Sequence, residues 1–186
     1  MSGPPPRQAF EKIAATFGHP LPEEMVRFYS DLNGLELSWS TAAMGVDGMV
    51  GRISILDVER AFGGEGARLR VDWDHHVAKG LLWNDELKAS RPDDYAALRS
   101  KRVFDLHLGT HVVAVEPRPG GATFYEVIDG AAIRLDTTFE RLLDTIFETA
   151  GAEYYPGLLR ADVAEAAKAE LRAKIDAAIP ARSFDL

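Results

Sequence analysis

The spacing of apolar residues changes period along this chain, and each change marks an element. From Gln8 the apolar positions Phe10, Ile13, Ala14 and Phe17 share one helical face, and Gly18 stops the run. Leu21-Pro22-Glu23-Glu24 predicts a new helix start. Pro22 suits a first turn, where its missing N–H costs nothing, and two acids face the positive helix end. Met25, Phe28, Tyr29 and Leu32 form its apolar stripe, and Asn33-Gly34 is a left-handed stop. The period then falls to two: Leu35, Leu37 and Trp39 alternate with polar residues, which predicts a strand over Leu35 to Ser40. After a Gly-containing loop, Met49 to Leu56 predicts a second strand, followed by a helical turn, Asp57 to Phe62.

Residues 65–100 have the weakest pattern and are expected to form an insertion packed on the core. Within them Ser90-Arg91-Pro92-Asp93 predicts a capped helix start. Alternation returns with Phe104, Leu106 and Leu108 against Asp105 and His107, with Gly109-Thr110 as a tight turn. That turn would pair His107 with Val112. His111 to Glu116 and Thr123 to Ile128 predict two more strands around the turn Pro117 to Gly121. Asp129-Gly130 predicts a hairpin turn into Ala132 to Leu135. Thr137 and Glu140 form a capping box for a helix striped by Phe139, Leu142, Leu143, Ile146 and Phe147. A last helix is expected over about Leu158 to Ile179. Its apolar residues step by four through Leu159, Val163, Ala167, Leu171, Ile175 and Ile179, a row that drifts around the helix. It either packs obliquely or offers a seam to a second chain.

Strands in sequence with helices at both ends predict an α+β fold: a mainly antiparallel sheet of five to six strands flanked by N- and C-terminal helices. The expected organisation is a domain over 1–156, with an insertion at about 63–100, and a C-terminal helical extension over 157–186 packed on it.

The chain has 186 residues, 46% of them apolar, enough for a sizeable core. It has no cysteine, which excludes disulfides and thiolate metal sites. No apolar run reaches the roughly 18 residues of a membrane helix. The start, MSGPPPRQ, lacks a basic region followed by an apolar core, so a cytoplasmic protein is expected. The net charge is −8, with the excess in residues 1–64 (8 acids, 5 bases) and 101–156 (9 acids, 5 bases). Phosphate binding needs a basic face, so nucleic acid is a poor partner; a basic protein suits better.

No pattern of catalysis stands out. Asp72, Asp74, His75 and His76 offer metal-ligand types, but adjacent histidines in a strand point apart and no zinc spacing is present. His107 and His111 flank a turn in a register that separates their rings. Gly63-Gly64-Glu65-Gly66 lacks the Gly-Lys-Ser/Thr end of a phosphate loop, and no Gly-x-Ser-x-Gly elbow occurs. Asp105 and Asp136 read as strand-edge or cap residues. No catalytic residue, cofactor or metal is expected.

Two stretches carry a resemblance. Leu21, Pro22, Glu23, Phe28, Tyr29, Asn33 and Gly34, with the closing strands HVVAVE and ATFYEV and the helix residues Thr138, Phe139, Glu140 and Leu142-Leu143, resemble the SUKH superfamily of fungal cell-wall assembly regulators and bacterial toxin-immunity proteins. The resemblance covers about residues 8–62 and 101–150; the 65–100 segment and the helix after Pro156 depart from it. It implies an α+β fold and a non-catalytic protein that binds and neutralises a toxin, with nucleases and deaminases among such toxins. A homodimeric scaffold of the same fold, joined through the last helix, is the alternative. A small hydrolase or metal enzyme is a third reading. The residues expected on an acidic, aromatic-containing partner surface are Asp72, Trp73, Asp74, Glu116 and Glu126.

Overall fold

A computed structural model describes residues 7–40, 50–62, 85–107 and 111–179. Residues 1–6, 41–49, 63–84 with the Asp72 to His76 cluster, 108–110 with the expected Gly109-Thr110 turn, and those after 179 lie outside the described residues. The expected α+β class holds: seven α-helices and a six-stranded antiparallel sheet are present among the described residues, with helices at both ends.

The helices α1 (Arg7–Phe17) and α2 (Glu23–Asp31) form as the apolar spacing predicts. Met25 and Tyr29 are fully buried, and Phe28 packs on the core from its edge. Gly34 adopts φ +89, and a Cβ there would come within 3.0–3.3 Å of backbone atoms of Ile55 and Asp57. Asn33 does more than end a helix. Its Oδ1 accepts the Val58 N–H at 3.0 Å, satisfying the first turn of α3 (Val58–Phe62). The Tyr29 hydroxyl is buried with no hydrogen-bond partner among the described residues. Tyr29→Phe is therefore expected to leave stability unchanged or raise it by about 1 kcal/mol in urea denaturation, since no hydrogen bond is lost and a buried polar atom is removed.

The sheet follows sequence order, β1 (Leu35–Ser40), β2 (Val50–Ile55), β3 (Arg102–Asp105), β4 (His111–Arg118), β5 (Gly121–Ile128) and β6 (Ala131–Arg134). Both tight hairpins fit their residues. Asp129 and Gly130 take φ 50 and 76, the pair of positive values a two-residue hairpin requires. Pro117 and Arg118, expected in a turn, belong to β4. Pro117 is tolerated because the β3 pairing stops at Val115, so no ladder bond on that side is lost.

The β3–β4 register corrects the expected alternation. Arg102 pairs with Val115 and Val103 with Ala114, yet Asp105 pairs with Val113. Phe104 is one extra residue, a bulge that shifts the register. Its ring turns into the aromatic centre with Phe28, Phe124 and Phe139, at centroid distances of 5.6–6.4 Å. Asp105 and His107, expected to alternate outward, are both buried.

Two helices, α4 (Asp85–Ser90) and α5 (Pro92–Arg99), precede β3. The α5 start is where Pro92 predicts it, and the N-cap position falls at Arg91, one residue after Ser90. Arg91 is the N-cap residue, without a side-chain cap bond, and its guanidinium instead donates to the Asp129 carbonyl at 2.9 Å. The next helix, α6 (Phe139–Glu148), is capped by Thr138, not Thr137; its side chain accepts the Arg141 N–H at 3.3 Å. Phe139, Leu142 and Ile146 are buried as the stripe predicts, while Phe147 is 39% exposed.

The expected long last helix is two elements. A 3-10 helix, Tyr155–Leu159, is followed by an extended residue at Arg160, a turn, and then α7 (Glu165–Ala178). The break has a cause. Arg160 leaves helical geometry to bridge Leu135 next to β6, and the Asp136 N–H donates to the Leu159 carbonyl at 2.8 Å. Upstream, Gly151 to Glu153 run along β2 where β3 diverges: the Arg52 N–H donates to Gly151 O and the Glu153 N–H to Val50 O. The apolar row of α7 therefore splits, with Ile175 buried, Leu171 half-buried and Ala167 exposed.

Candidate functional site

Two polar networks meet where residues 150–162 cross the sheet. The first is internal. Asp105 is fully buried; its Oδ1 accepts the Ser54 N–H at 2.7 Å and its Oδ2 accepts the Tyr155 hydroxyl at 2.9 Å. Ser54 O accepts the Leu106 N–H at 3.0 Å. The carboxylate thus satisfies the Ser54 N–H where the short β2–β3 pairing, centred on Ile55 and Asp105, ends. Burial pushes the Asp105 carboxyl up to about 6, against the hydrogen bonds from Ser54 and Tyr155. His107 stands edge-on to Tyr155, with ring centroids 4.7 Å apart. Its Nδ1 lies 3.2 Å from the Arg52 carbonyl, which can only accept, so the proton sits on Nδ1. Burial lowers this imidazole to about 4. Asp, Tyr and His in contact are residue types that catalysis uses. Here each works within the packing: Asp105 closes a ladder, Tyr155 satisfies Asp105, and His107 ties β3 to β2.

The second network reaches the surface. Glu126 on β5 is only 3% exposed. Arg160 Nη1 donates to its Oε2 at 3.2 Å, and His111 Nδ1 lies 3.7 Å from its Oε1. Arg160 turns its Nε and Nη2 onto Asp162 at 2.9 and 2.6 Å, a two-pronged pair that holds the Asp162 carboxyl below its usual range. The His111 ring supports Tyr154 edge-on, at 6.0 Å. Tyr154 is 53% exposed, the most of any large apolar or aromatic residue described, and it holds φ +66, a left-handed conformation that a tyrosine adopts at a cost. Left-handed backbone at Tyr154 lets two adjacent tyrosines diverge: Tyr155 enters the core and Tyr154 projects outward. Glu153 accepts a hydrogen bond from the Tyr154 hydroxyl, which raises that hydroxyl's pKa.

The residues expected on the partner surface do not gather at one place. Asp72, Trp73 and Asp74 lie outside the described residues. Glu126 is an interior ion-pair partner, so its carboxylate is not available at the surface as expected; its place is beneath Tyr154. Glu116 lies on the opposite sheet face, since Val113 pairs with Glu126 and Glu116 with Thr123. There burial acts against its ionised form, but hydrogen bonds from Arg118, Ser100 and Tyr125 prevail and hold it at about 2. Lys101 lies over the Tyr125 ring at 4.3 Å and closes that network. The exposed group missing from the expected surface is Tyr154. Its signal was the pair Tyr154-Tyr155 before Pro156: neighbours at a helix break cannot both face the core.

Among the described residues no group of three or more His, Asp or Glu is placed to hold a metal, and no helix is long and apolar enough to cross a membrane. Comparison with family models, curated proteins and solved structures gives no match to this chain.

Proposed function

We propose that this chain is a non-catalytic protein-binding module of the SUKH-like kind, an immunity protein that binds and neutralises a toxin. The observation that carries the reading is Tyr154. It is a projecting aromatic held in a costly backbone conformation and backed by the His111–Glu126–Arg160 network, with the acid Glu153 next to it in the chain. Aromatic anchors ringed by polar groups are where binding energy concentrates. The net charge of −8 favours a basic partner such as a nuclease or deaminase. The residues behind the family resemblance have consistent physical jobs, which supports it: Leu21, Pro22 and Tyr29 are buried, Asn33 caps α3, Gly34 sits where a side chain would crowd backbone, and Thr138 and Phe139 cap and anchor α6.

The test uses the protein encoded beside this chain's own gene. Tyr154→Ala is expected to weaken binding to it by about thirty-fold or more, measured by calorimetry, the effect of losing a hot-spot residue. Thermal stability should change by less than about 0.5 kcal/mol, because the ring is exposed. Binding unchanged by Tyr154→Ala would remove Tyr154 from the interface.

A further inference from the structure

The two edges of the sheet are treated differently. The β6 edge is short, four residues, and the chain at Leu159 and Arg160 bonds beside its end. The β1 edge is six residues long and pairs with β2 in continuous register without a bulge. It contains no lysine, proline or inward charge, the usual devices that keep an edge from pairing. Its one charge, Glu36, is already engaged by Arg52 at 3.0 Å.

Hydrogen-bond direction along β1 follows from β2. Ser54 directs its N–H and C=O towards β3, to Asp105 and Leu106, and the Arg52 N–H points the same way, to Gly151. Gly51, Ile53 and Ile55 therefore bond towards β1, where their partners are Trp39, Leu37 and Leu35. The N–H and C=O groups of Glu36 and Ser38 point outward, and nothing among the described residues meets them. On the inner face the same strand leaves Leu37 44% exposed.

We infer that β1 is a self-pairing edge, and that its occupant is β1 of a second copy of this chain, antiparallel about a two-fold axis at Leu37. Only outward-pointing residues can exchange bonds, so the register pairs Glu36 with Ser38 of the other copy and Ser38 with Glu36. That register sets Leu37 against its own copy in a close, non-hydrogen-bonded pair and Leu35 against Trp39. Apolar residues then face apolar residues on one side, and each Glu36 faces a serine hydroxyl on the other, with no like charges directly opposed. The result is one continuous sheet across two chains. An interface this narrow gives a dimer that dissociates on dilution.

Sedimentation over a wide concentration range, with residue-resolved amide exchange by NMR, tests this on the full chain. The expected result is a concentration-dependent dimer in which the Glu36 and Ser38 amides become protected as it forms. The Leu35, Leu37 and Trp39 amides should be protected at every concentration. Leu37→Lys, which opposes like charges on the axis, and Ser38→Pro, which removes only an outward N–H, should both give folded monomers. A monomer at all concentrations overturns the inference. So does a dimer that survives both substitutions, or one that leaves Glu36 and Ser38 unprotected. Protection of those amides only when a different protein is added would assign the edge to that protein instead.

Discussion

Gly151→Ala is expected to destabilise the fold by about 2–5 kcal/mol in urea denaturation, on the order of 1–2 for forcing alanine into left-handed backbone and 1–3 for the clash. Gly151 holds φ +63, and a Cβ there would stand 2.3 Å from the Arg52 carbonyl oxygen and 2.8 Å from the Ile53 side chain. The neighbour that must yield is backbone, and the Arg52 N–H bonded to Gly151 O at 2.8 Å fixes the approach. Gly120→Ala is the control. Gly120 also has positive φ, +76, but nothing lies within 4 Å of its would-be Cβ, so only the conformational cost of about 1–2 kcal/mol applies. Equal losses at the two sites would mean that Gly151 to Glu153 do not lie against β2.

The second large effect is electrostatic. The folded pKa of Asp105, about 6, lies above its ordinary value of 3.8. The folded state therefore holds this proton more tightly than the unfolded chain does. The stabilisation is fully present below pH 3.8 and is lost as pH rises through about 6, an amount near 3 kcal/mol at 1.36 kcal/mol per pKa unit. His107 runs the other way. Its folded value of about 4 lies below the ordinary 6.5, so its contribution is present above pH 6.5 and is lost as pH falls towards 4. In the native protein the two slopes oppose each other. Asp105→Asn keeps the shape, an acceptor for Ser54 and a donor for the Tyr155 oxygen, but removes one slope. Relative to the native chain it should gain stability as pH rises from 4 to 8, by up to about 3 kcal/mol, and its own stability should fall as pH drops from 6.5 towards 4, where His107 is unopposed. Denaturation curves at several pH values read this directly; a difference that stays flat with pH would contradict a buried, ionisable Asp105.

The parts of the fold that were legible are those set by near neighbours. The helices at Arg7–Phe17, Glu23–Asp31 and Phe139–Glu148 follow from apolar spacing, and Asp129-Gly130 from turn chemistry. What escaped depends on distant partners. The Phe104 bulge exists because its ring joins Phe28 and Phe139, and Asp105 is tolerated in the core because Ser54 and Tyr155 meet its oxygens. Alternation alone makes Asp105 an outward residue. The last helix breaks because Arg160 has Glu126 and Leu135 to meet, partners more than 20 residues away. The candidate site was least legible. Charge alone makes Glu126 a surface acid, and nothing in the sequence shows which of the adjacent Tyr154 and Tyr155 turns inward.

Under the proposed binding role, the buried Asp105, His107 and Tyr155 serve the fold alone. Co-expression tests it most directly. The protein encoded beside this chain's gene is expected to arrest growth of a host when produced alone, and is then produced with the native chain or with a folded Asp105→Asn, His107→Gln double variant. Both are expected to restore growth. Failure of the native chain to restore growth, or restoration lost in the folded double variant, would contradict it.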